Sequence, residues 1–122
     1  MMLVKGDKSY EAGVPPTPEL MVAIGGLAEE MFRSGKLLEM GGLAPSSKGA
    51  LLELNGGTVR VTDGPFAESK EVVGGYAIME AGSKAEAIEL GKRFLQVHAD
   101  VLGNSHEAQL EIRLLSDPPQ QS

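Results

Sequence analysis

The sequence contains no cysteine and no tryptophan, and only two tyrosines and three phenylalanines. Without cysteine, the chain can form no disulfide framework, no thiol nucleophile and no thiolate metal site. With so few aromatic residues, the core must be built from aliphatic side chains and methionine. The hydrophobic fraction of 42% is ordinary for a globular protein, so the sequence predicts a folded domain.

Basic residues are also in short supply. Eleven Lys and Arg stand against 17 Asp and Glu, giving a net charge of −6. This balance argues against nucleic acid or an anionic membrane as a direct partner, since both favour a basic surface. No apolar run approaches the roughly 20 residues that a membrane span needs. The opening Met1–Val4 is too short for a signal peptide, so we expect a cytoplasmic protein.

Capping signals predict two helices. The first has Thr17 as N-cap and Pro18 at its first position, and it ends at Gly35. The second begins with a capping box formed by Ser83 and Glu86. Both segments carry apolar residues at helical spacing, which predicts that each helix buries one face.

Strands account for the other apolar runs. A hairpin is indicated where Asn55-Gly56-Gly57 separates two such runs. Within the first helix, Gly25-Gly26 is expected to allow close packing against the sheet. The predicted strands cover 1–5, 37–43, 49–54, 58–62, 72–80 and 108–115.

The predicted order is therefore β-α-β(ββ)β-α-β, in one domain over 1–116 with a disordered tail at 117–122. Two helices on one face of a mostly antiparallel sheet make a ferredoxin-like α+β fold. The other face of the sheet has no helix to cover it. Pairing with a second copy would bury that face, so we predict a homodimer.

The loop around Asp63 is the segment most suspect for function. Asp63-Gly64-Pro65 is good turn chemistry, which favours a purely structural role. The same loop, however, concentrates charged groups around a single aromatic side chain, which is typical of a binding site. The neighbouring candidates for contact with a substrate are Phe66, Glu68, Lys70 and Tyr76.

His98 is the candidate proton acceptor. It lies four residues after Phe94, on or beside the buried face of the second helix, while His106 lies in a polar loop and is expected to have no role. If His98 reaches Asp63, a general base oriented by a carboxylate becomes available. No ligand spacing indicates a metal, and no glycine pair lies in a phosphate-binding frame, so neither metal nor cofactor is predicted.

The run from Val61 to Glu71, followed by Gly74-Gly75-Tyr76, resembles the signature of the DGPF family, a branch of the YCII-related proteins. The segments 2–5, 35–46, 94–98 and 111–113 are similar to further pieces of that family, in the same order. The similarity extends over nearly the whole chain.

This resemblance implies a dimeric α+β barrel. Resemblance to the wider YCII group implies enzymatic activity through a His–Asp pair. Some proteins of that group act in the degradation of chlorinated aromatics. For the DGPF branch it implies association with extracytoplasmic-function sigma factors. YCII proteins carry their histidine in the first helix, whereas residues 17–34 contain none. Asp63 would then be the acidic partner and His98 the substitute.

Three hypotheses follow for the Asp63 loop. In the first, Asp63 and His98 perform acid–base chemistry on a small molecule. In the second, the chain is a non-catalytic module that binds a ligand or a protein. In the third, the loop is a structural turn that stabilises the dimer.

Overall fold

The computed structural model describes residues 1–6, 13, 15–65, 73–103 and 106–116. Their element order confirms the predicted β-α-β(ββ)β-α-β. The strands are β1 (Met2–Lys5), β2 (Leu37–Gly42), β3 (Ala50–Asn55), β4 (Thr58–Asp63), β5 (Val73–Met79) and β6 (Leu110–Ile112), the helices are α1 (Pro18–Arg33) and α2 (Lys84–Leu102), and a 3-10 turn covers Ser46–Lys48.

The strands form two sheets. The larger sheet has the order β2-β5-β1-β6 and antiparallel pairings throughout, and β3 and β4 form a separate two-stranded sheet. The α+β fold is thus confirmed, with a ferredoxin-like strand order. The hairpin is an insertion between two neighbouring strands, because β2 pairs directly with β5 and Leu43 donates its N–H to the carbonyl of Gly74 at 3.0 Å.

Side-chain caps fix both helix starts as expected. Thr17 Oγ1 accepts a hydrogen bond from the N–H of Leu20 at 3.2 Å. Ser83 Oγ accepts from the N–H of Glu86 at 3.1 Å, and Glu86 in turn accepts from the N–H of Gly82. Each cap satisfies a donor that the first helical turn leaves unpaired. Neither helix, within the described chain, is long and apolar enough to cross a membrane.

The core lies between the larger sheet and the helices. Met2 and Ala77 are directly paired across β1 and β5, and both are buried. Met31 from α1 and Leu90 from α2 pack into the same cluster. Since side chains alternate along a strand, Leu3 and Tyr76 point to the opposite face, which neither helix covers.

The prediction that Gly25 and Gly26 allow close packing of α1 against the sheet is wrong. Both are exposed, and a methyl group built on either would meet no neighbour within 4 Å. Close packing occurs instead at Gly91 of α2, where an added Cβ would lie 3.0 Å from Ile112 and 3.3 Å from Leu110. Gly91 therefore lets α2 approach β6.

The last strand is shorter than its alternating pattern predicted. Leu110 and Ile112 do pack against the core, but the strand ends at Ile112 and Leu114 is 97% exposed. Its partner strand β1 begins at Met2, and the last backbone contact joins Arg113 N–H to the carbonyl of Met1. Beyond that point no partner strand continues the ladder in the described chain.

The hairpin has one apolar face, which neither helix nor the larger sheet of the described chain covers. Gly56 and Gly57 adopt φ values of +60° and +81°, which suits the tight turn between β3 and β4. Cross-strand pairing places Leu52 opposite Val61 and Leu54 opposite Val59. These four side chains, here called the hairpin patch, share one face and are 59–75% exposed.

Candidate functional site

A cleft of about 560 Å³ opens between the larger sheet and the helices. Most of its lining is aliphatic, contributed from both helices and from β1, β2 and β5. Its volume is in the usual range for small-molecule sites. The side chains that define its walls include Met2, Ile24, Leu27, Met40, Phe94 and Leu102.

His98 borders this cleft from α2 and is half-buried. Its Nδ1 lies 2.9 Å from the carbonyl oxygen of Phe94, one helical turn earlier. A carbonyl can only accept, so Nδ1 must carry the proton, and in the neutral ring Nε2 then offers a lone pair. No residue in the described chain bonds to Nε2. The helix backbone thus fixes the tautomer that a proton acceptor needs.

The rings of Phe94 and His106 lie beside His98. The centroids of Phe94 and His98 are 4.7 Å apart with the rings tilted, and those of His98 and His106 are 6.0 Å apart with the rings nearly parallel. His106 also borders the cleft, although the sequence predicted no role for it. No local pattern around His106 indicates that its ring lies beside that of His98.

Two further polar side chains that border the cleft, those of Lys5 and Thr17, already have partners. Lys5 forms an ion pair with Glu111 at 3.5 Å. Glu111 also accepts a hydrogen bond from Arg113, and this bond, together with the charge of Lys5, lowers the pKa of its carboxyl group. Thr17 is engaged as the cap of α1. The side chains of Lys5 and Thr17 therefore form part of the cleft wall, but their polar groups are already engaged.

Tyr76 also borders the cleft, but its side chain extends to the face of the sheet opposite the helices. Its hydroxyl donates to Glu39 at 3.2 Å, and the negative charge of Glu39 raises the pKa of that hydroxyl. An added Cβ on Gly41 would lie 2.9 Å from the Tyr76 ring, so the neighbouring strand makes room for it. The structure thus brings Tyr76 and His98 to one region, on opposite faces of the sheet.

Asp63 lies elsewhere. It is the last residue of β4, it is exposed, and it pairs across the hairpin with Ala50. It is not among the described residues that line the cleft around His98. Its carboxylate makes no hydrogen bond or ion pair with the described part of the chain. The pairing of Asp63 with His98 therefore stays a prediction.

The residue after Asp63 has a clear packing role. The N–H of Gly64 donates to the carbonyl of Gly49 at 3.0 Å. A Cβ built on Gly64 would lie 1.6 Å from the carbonyl oxygen of Ser46, closer than any atom can approach. The Asp-Gly-Pro run thus seats against the 3-10 turn at the base of the hairpin, and only glycine fits there.

Three predicted contact residues, Phe66, Glu68 and Lys70, lie outside the described residues, as does the predicted tail at 117–122. No group of three or more histidine or acidic side chains within the described ranges is arranged to hold a metal ion.

The YCII-related domain family matches residues 1–104 of this chain. An uncharacterized protein of Rhizobium meliloti is 30% identical over 73 residues, which are 60% of this chain and 59% of that protein. The aligned region thus spans less than two thirds of that relative's length. With the family match extending from β1 through α2, the chain belongs to the YCII-related family.

Proposed function

We propose that this YCII-family protein binds a small, largely apolar molecule in the cleft between sheet and helices, with His98 as the group that exchanges a proton with it. The observation that carries the proposal is the hydrogen bond from Nδ1 of His98 to the Phe94 carbonyl. It leaves Nε2 as an acceptor beside an apolar cleft of about 560 Å³.

In this proposal the Phe94 carbonyl does the work that a carboxylate does in a His–Asp pair. It fixes the ring's orientation and tautomer, but it adds no negative charge to stabilise an imidazolium. Asp63 is then a residue of the hairpin base, with its carboxylate available to a partner or to the loop that follows. Membership of the DGPF branch is part of the proposal, supported by the Asp63-Gly64-Pro65 run and its packing on Ser46.

The cleft is tested by filling it. Ile24 lines the cleft, whereas Val22 on the same helix is 77% exposed. We expect Ile24→Trp to weaken binding of para-phenylphenol at least tenfold, because the indole occupies the ligand's volume, and Val22→Trp to leave it unchanged. Amide shifts in two-dimensional NMR report both folding and binding. Equal binding by both variants, or shifts away from the cleft in the unsubstituted protein, would overturn the proposal.

We also propose that the chain is a homodimer in which the hairpin patch is covered by a second copy. A two-stranded hairpin has marginal stability alone, and the patch exposes Leu52, Leu54, Val59 and Val61 with no charge among them. Uncharged, apolar contact surfaces are typical of permanent homodimers more than of transient complexes. This supports the protein-binding hypothesis with a second copy as the partner. Association with a sigma factor stays a prediction.

The dimer is tested by placing charge on the patch. Leu52→Lys should convert a dimer to a monomer in analytical ultracentrifugation, because it buries an unpaired ammonium group. The matched control is Glu53→Lys, one residue along β3 on the opposite face, which should remain dimeric. A monomeric unsubstituted protein, or a Leu52→Lys variant that stays dimeric, would contradict the proposal.

A further inference from the structure

The described polar side chains that line the cleft include a hydrogen-bond acceptor and a carboxylate, but no uncompensated cation. His98 Nε2 accepts hydrogen bonds in the neutral ring, and the exposed carboxylate of Glu107 borders the same cleft. The cation of Lys5 is compensated by Glu111. The cleft therefore offers an acceptor at Nε2 of His98 and the negative charge of Glu107, with no uncompensated lysine or arginine among its described lining residues.

A carboxylate or phosphate is poorly matched to such a lining. Its desolvation in an apolar cleft requires a compensating cation or several donors, and Glu107 would repel it. A neutral hydroxyl or N–H group, in contrast, would donate a hydrogen bond to the lone pair of Nε2 and would bring no charge into the cleft. The rest of the ligand should be apolar, because the side chains of Ile24, Leu27 and Phe94 in the cleft walls offer only apolar contacts.

We infer that the cleft selects a neutral, largely apolar molecule carrying one hydrogen-bond donor, a phenol or an alcohol, and that it discriminates against carboxylates. The donor is placed on Nε2 of His98, and the apolar body lies between α1 and the sheet. This ligand class rests on the small-molecule site proposed for the cleft. His98 then both recognises the hydroxyl and is positioned to take its proton.

Three probes with one biphenyl body separate the alternatives: para-phenylphenol, its methyl ether and biphenyl carboxylate. The probes are compared at about pH 8, where the phenol keeps its proton. We expect the phenol to bind the unsubstituted protein about tenfold more tightly than the ether, and the carboxylate to bind weakest. Calorimetry measures the affinities, and NMR shifts of cleft residues locate the ligand.

His98→Phe keeps an aromatic ring and removes Nε2. It should lower the phenol's affinity to that of the ether and leave the ether's affinity unchanged, while Val22→Trp, outside the cleft, should preserve the preference. The ether is thus also the test that His98→Phe is folded. If the ether and the phenol bind with equal affinity, or if the carboxylate binds most tightly, the proposed ligand class is wrong. The small-molecule site in the cleft is then still supported. If no probe binds in the cleft, the site itself is wrong.

Discussion

The four-stranded sheet and the hairpin are built from the same kinds of side chain, but only the sheet has helices to cover them. Met2 and Ala77 are at most 6% exposed, whereas the hairpin patch is 59–75% exposed. Both sets follow the same alternation along their strands. An alternating pattern therefore specifies an apolar face but does not specify what covers that face. For the hairpin patch, nothing in the described chain provides a cover.

The largest expected effect tests this contrast directly. Leu90 is buried in the core and Leu54 is 75% exposed on the hairpin patch. Leu90→Ala should lower the free energy of unfolding by about 2–5 kcal/mol, because it opens a cavity. Leu54→Ala should cost much less in dilute protein, where the monomer dominates. If a second copy covers the patch, the loss in free energy of unfolding caused by Leu54→Ala, measured by urea denaturation, should increase with protein concentration. A loss that does not depend on protein concentration would contradict the proposal that a second copy covers the patch.

The next effect concerns the joint between the two regions. Gly64→Ala places a Cβ against the Ser46 carbonyl, so it should lower the free energy of unfolding by about 1–3 kcal/mol or more. Gly42→Ala is the matched control, since nothing lies within 4 Å of its Cβ, and it should change stability by less than about 0.5 kcal/mol. Thermal unfolding followed by circular dichroism compares them. Equal melting temperatures would mean that the hairpin base rearranges freely.

The smallest effect is a pH dependence confined to the helix-covered region. Hydrogen bonds from Lys36 and from the N–H of Gly82 lower the pKa of Glu86 in the folded protein. A carboxyl group whose pKa is lowered by folding adds stability above its unfolded pKa, and that stability disappears as the pH falls through the folded value. Glu86→Gln should therefore be slightly less stable than the unsubstituted protein at neutral pH.

The difference should vanish in acid below the folded pKa of Glu86. Glu53→Gln removes the same formal charge from the hairpin and serves as the control. Urea denaturation over a pH series measures both variants. A penalty for Glu86→Gln that persists unchanged in acid would show that the Lys36 contact contributes nothing through ionisation.

Much of the fold could be predicted because its signals are local. Thr17 and Ser83 mark helix starts through bonds made within one turn, and Gly56-Gly57 permits a turn at positive φ. The length of β6 could not be predicted, since it depends on the register of β6 with β1, which no local pattern indicates. Gly25 and Gly91 look alike in sequence, and only the tertiary approach of β6 to α2 separates their roles.

The candidate site was predicted in part. The periodicity of α2 placed His98 near the buried face, and the structure puts it beside an apolar cleft. The bond to Phe94 is local, at a spacing of one helical turn, and so was within reach of sequence reasoning. The cleft itself was not, because its walls come from segments far apart in the chain. His106 was missed because no local pattern indicates that its ring lies beside that of His98.

The hydrogen bond between Leu43 and Gly74 makes the segment from 44 to 73 a cassette whose two ends are adjacent. Because β2 and β5 already pair, a short turn could replace the cassette and leave the ferredoxin-like unit closed. The proposed association through the hairpin patch and the proposed ligand binding in the cleft would therefore depend on separate parts of the chain. An exchanged or lengthened cassette could alter how the protein associates while the His98 cleft stays intact.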